Sequence, residues 1–115
     1  MVYKGSCHCK KISYEVEGDI LEVIECNCSI CTKRGYLLWF IPREKLHLRT
    51  PADIILSTYT FNTHRIKHHF CSTCGCAPFG EGEMKGVAMA AVNVRCLDNV
   101  DLDQVKRVPF NGRSL

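Results

Sequence analysis

His69-Phe70-Cys71-Ser72-Thr73-Cys74-Gly75-Cys76 is the stretch on which the fold turns. Two thiols three positions apart, with a glycine directly behind them, form half of a tetrahedral metal site. The glycine stands where the chain must turn back and aim backbone amides at sulfur. Such a half-site supplies two corners only, and the chain offers the other two at Cys7-His8-Cys9. Four thiolates close the tetrahedron around zinc and leave no open position, so Cys7, Cys9, Cys71 and Cys74 are expected to form a structural site. His8, between two ligands, is expected to be exposed.

Working outward, several segments alternate with period two. Lys11 to Glu17 places Ile12, Tyr14 and Val16 on one face and stops at Gly18-Asp19. Ile20 to Glu25, Tyr36 to Ile41, Ile54 to Phe61, His64 to Phe70 and Gly86 to Val94 also read as strands, rich in β-branched and aromatic residues. Helical signals are confined to one turn over Ser29 to Arg34 and a short turn or 3₁₀ segment opening at Pro42. Leu97 to Val105 carries no helical stripe. The expected fold is mainly β, built of short antiparallel strands. The aromatic residues Tyr36, Trp39, Phe40, Tyr59, Phe61, Phe70 and Phe79 are assigned mostly to its core, as is Cys96.

With 115 residues, the chain has room for one core, so residues 1–115 are read as one domain. A small β domain is short of buried apolar surface, and a zinc ion joining Cys7/Cys9 to Cys71/Cys74 supplies what the core lacks. The formal charge is +3, with 15 Lys and Arg scattered among 12 acids. No basic stripe interleaved with aromatics appears, which argues against a nucleic-acid partner. No apolar run approaches the roughly 20 residues of a membrane helix, and no basic-then-apolar leader opens the chain. The expected location is cytoplasmic, where disulfides do not persist. Nine cysteines gathered into three tight groups, with Cys96 alone, are therefore read as metal ligands.

The second group, Cys26-Asn27-Cys28-Ser29-Ile30-Cys31, has a different character. It offers three thiolates within six residues and no fourth at a matching spacing. Three protein ligands and a vacant position are the arrangement of catalytic zinc. Three thiolates leave the centre at a formal −1, poor for making hydroxide and better suited to holding a substrate thiolate. The alternative is closure by Cys76, His64, His68 or His69, which would make this site structural too. Lys33 and Arg34 follow Cys31 after one residue, Thr32, and are placed to grip substrate carboxylates. If His64 to Phe70 is one strand, His64, Ile66 and His68 share a face and Arg65, Lys67 and His69 the other. That strand is read either as a basic wall near the second zinc or as a solvated face.

Gly5-Ser6-Cys7-His8-Cys9, the Cys26 to Cys31 motif and His69 to Gly75, in this order, resemble the glutathione-dependent formaldehyde-activating family. Its domain is also found in centromere protein V. Tyr59-Thr60-Phe61-Asn62-Thr63-His64, Asn93 to Asp98 and Phe110-Asn111-Gly112 share the resemblance. It implies a β-tent fold around the four-cysteine zinc, and a second zinc on Cys26, Cys28 and Cys31 where glutathione binds. It further implies a carbon–sulfur lyase reaction that joins glutathione and formaldehyde as S-hydroxymethylglutathione. Cys26, Cys28 and Cys31 would be the catalytic ligands, with Lys33, Arg34 and His64 holding the glutathione. The competing expectations are a non-catalytic zinc-binding interaction module like centromere protein V, and a zinc or redox buffer.

Overall fold

The computed structural model describes residues 1–51 and 56–114. In chain order its strands are β1 (Val2–Ser6), β2 (Ser13–Glu17), β3 (Val23–Cys26), β4 (Leu38–Pro42), β5 (Leu46–Leu48), β6 (Ser57–Tyr59), β7 (Lys67–Phe70), β8 (Phe79–Met84), β9 (Val87–Asn93) and β10 (Arg107–Phe110). One short helix, α1 (Ser29–Arg34), follows β3, and 3₁₀ turns cover Arg43–Lys45, Val94–Cys96 and Gly112–Ser114.

Among the described residues these strands make a three-stranded sheet, β1-β2-β5, and a seven-stranded sheet ordered β10-β3-β4-β9-β8-β7-β6. The mainly β expectation is met. The wholly antiparallel one is corrected at one edge, where β10 runs parallel to β3 with Phe110 opposite Cys26. Pro109 suits that position, because an edge strand can spare a ladder donor. The β8–β9 hairpin pairs Met84 with Val87. Its two turn residues, Lys85 and Gly86, both have positive φ, the backbone that matches strand twist in a two-residue hairpin.

The alternation read in β2 is real: Ile12, Tyr14 and Val16 are all buried. They pack against Trp39 and Ile41 of β4, Phe79 of β8 and Ala90 and Val92 of β9, forming one core between the sheets. Fully burying an aliphatic or aromatic side chain stabilises by roughly 1.5–3 kcal/mol. Tyr14 is the largest such group. Its ring lies over Gly5, where a Cβ would come within 2.6 Å of Cζ, and its hydroxyl donates to the Pro78 carbonyl at 3.3 Å. Burial pushes this phenol well above its ordinary pKa.

Three assignments change. The strand expected from His64 begins only at Lys67, because Asn62 and His64 both have positive φ and the His64 N–H closes a turn on the Phe61 carbonyl. Of the strand read over Ile54 to Phe61, Ile54 and Ile55 lie outside the described residues, and β6 covers Ser57–Tyr59. Phe40 and Tyr59 are exposed rather than core. No described helix is long and apolar enough to cross a membrane.

Candidate metal centres

Cys7 and Cys9 follow β1, and Cys71 and Cys74 follow β7, so two strand ends from different sheets deliver one set of ligands. The four sulfurs lie within 4.8 Å of one another. Cys9 Sγ stands 3.7 Å from Cys7 Sγ and 3.5 Å from Cys71 Sγ. Zinc–sulfur bonds of about 2.3 Å at tetrahedral angles put ligand sulfurs about 3.8 Å apart, so the set fits zinc. Backbone N–H groups converge on the same atoms. Ile12 donates to Cys7 at 3.4 Å, and Thr73 and Cys74 donate to Cys71 at 3.4 and 3.5 Å. Amides of Cys9 and Cys76 bring the Cys74 thiol down to about 5. Gly75, at φ 81°, returns its N–H to the Cys71 carbonyl and closes the knuckle. Cys7 and Cys71 are buried and Cys9 is exposed.

The second group is local. Cys26 ends β3, Cys28 is the N-cap of α1, and Cys31 lies one turn into that helix. Their sulfurs also lie within 4.8 Å of one another, and no other Cys, His or carboxylate among the described residues joins them. Burial pushes the Cys28 thiol up, but the neighbouring Cys31 and Cys26 thiols and the N–H groups of Cys31 and Ile30 together outweigh it and leave the thiol below its usual value. Those are the free amides of a helix start. The Cys28 N–H in turn donates to Cys26 Sγ at 3.4 Å. Cys31 is buried, and burial raises its thiol strongly, so it ionises here only against a compensating cation. Gly35, at φ 67°, ends α1 by donating to the Cys31 carbonyl.

Tyr36 and Ala77 are buried against Cys31, and Ile30, Leu38 and Phe70 pack around them beside Cys26 and Cys28. Arg34 lies across this wall. Its Nη1 donates to Tyr36 Oη at 2.7 Å, and its guanidinium stands 5.5 Å from the Phe70 ring centre and 5.9 Å from that of Tyr36. His68 stacks on Tyr36 at 6.3 Å and on Phe61 at 5.5 Å. Burial, then Arg34 and His69, hold its imidazole below its ordinary 6.5.

The site therefore combines three convergent sulfurs, an apolar wall and one oriented guanidinium. A family model described as glutathione-dependent formaldehyde-activating enzyme matches residues 2–109. The chain belongs to this family. It is also similar to a crystal structure of a Rhodobacter sphaeroides protein, with 30% identity, a TM-score of 0.78, and 91% of this chain and 99% of that one covered.

For this member of the glutathione-dependent formaldehyde-activating family, the other expected site residues divide. Arg34 is at the wall, while Lys33 is exposed in the last turn of α1. His64 is exposed in the β6–β7 connection with its Nδ1 2.8 Å from Thr60 Oγ1, and the histidine stacked into the wall is His68. The basic wall expected from Arg65 and Lys67 faces elsewhere. These two line a cavity of about 630 Å³ with Arg43, Glu81, Glu83 and Lys85, at the end of the sheet remote from Cys26. There Arg43 binds Glu81 and His69 Nε2 lies 3.3 Å from the same carboxylate.

Cys76, one candidate to close the second group, lies instead beside the first, with its sulfur against the His8 N–H and Cys74. Cys96 is only half-buried, with its sulfur near Asn93 Nδ2 and the Ala77 carbonyl. Burial raises its thiol to about 11. The sequence reading gave no role to Phe110-Asn111-Gly112, yet these residues pack directly against the second group. The signal available was a Pro-containing β-rich stretch ending in Asn-Gly.

Proposed function

We propose that residues 1–115 act as one zinc-binding domain with carbon–sulfur lyase activity of the S-(hydroxymethyl)glutathione synthase type. The observation that carries this reading is the three-sulfur group with no fourth protein ligand among the described residues, in a chain of this family. Two zinc ions are assigned, one to Cys7, Cys9, Cys71 and Cys74 and one to Cys26, Cys28 and Cys31. Zinc on the second group supplies a Lewis-acid position that keeps a substrate thiol ionised near neutral pH.

The remaining chemistry belongs to the chain. The glutathione sulfur attacks the aldehyde carbon, a C–S bond forms, and the carbonyl π electrons move to oxygen, which takes a proton. The reverse reaction removes that proton, restores C=O and releases the thiolate. Amides of Ile30 and Cys31 help bring the Cys28 thiol below its ordinary value, and Asn27 fixes the loop that carries Cys26 and Cys28. Tyr36, Ala77 and Phe70 exclude water from one side, which strengthens every charge interaction there. Arg34, pre-oriented by Tyr36 Oη, receives a peptide carboxylate, and Lys33 and His64 are assigned as further contacts to the glutathione. His68, neutral at neutral pH, offers an imidazole nitrogen to take the proton released as the thiol ionises. Bringing sulfur and carbon together in a fixed direction lowers the entropy cost of a bimolecular step.

Zinc stoichiometry, together with formaldehyde–glutathione exchange followed by NMR, tests the proposal. Two zinc ions per chain and accelerated exchange are expected, with Cys28→Ser losing one zinc and the acceleration. Exchange no faster than the spontaneous reaction would leave the non-catalytic module as the reading.

A further inference from the structure

The C-terminal turn makes a second kind of contact with the three-cysteine group. β10 lies parallel to β3 and brings Phe110 opposite Cys26. The Asn27 N–H donates to the Phe110 carbonyl at 3.1 Å. The Asn27 side chain is then gripped at both ends: its Nδ2 donates to Asn111 Oδ1 at 3.0 Å, and its Oδ1 accepts from the Arg113 N–H at 2.9 Å. Asn27 stands between two of the three ligands, so these three bonds fix the loop that sets where two sulfurs point. Thr32 Oγ1 donates to the Asn27 carbonyl at 3.1 Å and ties the same loop to α1.

Gly112 is where this turn meets the ligands. A Cβ at this position would overlap Cys26 Sγ and come within 3.1 Å of Cys28 Cβ. The residue is not among the positive-φ glycines, so its backbone is one that alanine adopts freely. Glycine is therefore required here for room and not for conformation. This separates it from Gly35 and Gly75, which have positive φ and open space where a Cβ would stand.

We infer that Gly112 is a positioning residue of the second metal centre, its bare backbone packed against Cys26 and held there by the Asn27–Asn111 latch so that the three sulfurs keep one geometry. The inference rests on the proposed assignment of metal to Cys26, Cys28 and Cys31. Groups behind a metal's direct ligands typically change affinity 10–100-fold when altered. A methyl group pressed onto a ligand sulfur belongs with the larger changes, and loss of the latch alone with the smaller.

The test compares wild type, Gly112→Ala and Asn111→Ala in the full chain. Zinc affinity is measured by chelator competition, the ligand field by the visible spectrum of the cobalt-loaded protein, and folding by thermal melting. In Gly112→Ala the more weakly held metal should lose at least about tenfold in affinity, with altered cobalt bands. The tightly held metal and the melting temperature should stay as in wild type. Asn111→Ala should move the second site in the same direction by less. Second-site affinity within twofold of wild type and unchanged cobalt bands in Gly112→Ala would overturn the inference.

If Gly112→Ala does not fold, Asn111→Ala decides by the same two readouts. An unchanged second site there also overturns the inference. Wild-type protein that holds two metals but does not accelerate exchange defeats the proposed reaction, while the metal comparison still decides the role of Gly112. Wild-type protein that holds only one metal defeats both.

Discussion

The two cysteine groups use the same donor atom and similar spacings, yet they are assembled in opposite ways. The first draws its ligands from the ends of β1 and β7, with Cys9 and Cys71 separated by 62 positions. The second draws all three from a loop and one helical turn between Cys26 and Cys31. Closing a long loop is where a metal cross-link gains most against the unfolded chain, so a metal on the first group would fasten the two sheets together. A local group gains little in that way. It keeps its place through the β3 pairing and the β10 turn, and no fourth protein ligand among the described residues joins it. Distance along the chain thus separates a group built to cross-link the sheets from one confined to a single loop and helical turn.

The most direct way to break this comparison is to remove one ligand from each group. Cys71→Ser should leave the chain without a stable fold, because structural zinc contributes about 10–16 kcal/mol in small domains and total stabilities are about 5–15 kcal/mol. Circular dichroism melting with zinc analysis reads this directly. Cys28→Ser should instead melt within a few degrees of wild type. Equal damage from both would make the two groups structural alike and erase the distinction.

Arg34→Ala sharpens the second half of the comparison. It removes the charge oriented over Tyr36 and Phe70, and a charge-assisted hydrogen bond contributes about 1.5–3 kcal/mol. The expected result is a KM for the glutathione adduct raised about tenfold or more, with melting almost unchanged. An unaltered KM would place the carboxylate grip elsewhere.

The smallest effect concerns His68. Its folded pKa is depressed below 6.5, so the folded protein binds fewer protons than the unfolded chain near that pH. Stability from this group is present above about pH 6.5 and is lost as pH falls through the folded value. Imidazole NMR should give a His68 midpoint below 6.5, and stability should decline on acidification less in His68→Phe than in wild type. A midpoint at or above 6.5 would mean that the wall is wetter than the stacking suggests.

How far the sequence revealed this arrangement depends on how local each signal is. The β2 alternation, the Cys26 to Cys31 group and each half of the first group are written in short local stretches, and the structure keeps them. His64 to Ile66 looked like strand because its residues alternate. Its conformation is set instead by positive φ at Asn62 and His64, which periodicity does not register. Arg65 and Lys67 read as candidates for a basic wall near the second group because the strand is rich in basic residues, but their strand carries them toward the other end of the sheet. His68 lies on the opposite face of that strand, and so it alone of the three histidines stacks on Tyr36. The role of Phe110 to Gly112 depends on a parallel pairing with a strand 84 positions earlier, and their Pro-Phe-Asn-Gly pattern marks a strand and turn without naming that partner.

That parallel pairing also sets an order of assembly. At about 5–20 residues per second, the ribosome needs roughly 4–17 s after making Asn27 to make its partner Asn111. Both halves of the fastening site, ending at Cys74, are synthesised before that interval closes. During it the three local thiols exist without the turn that packs against them. The three-cysteine group thus receives its last neighbours after all four cysteines of the other group have been made.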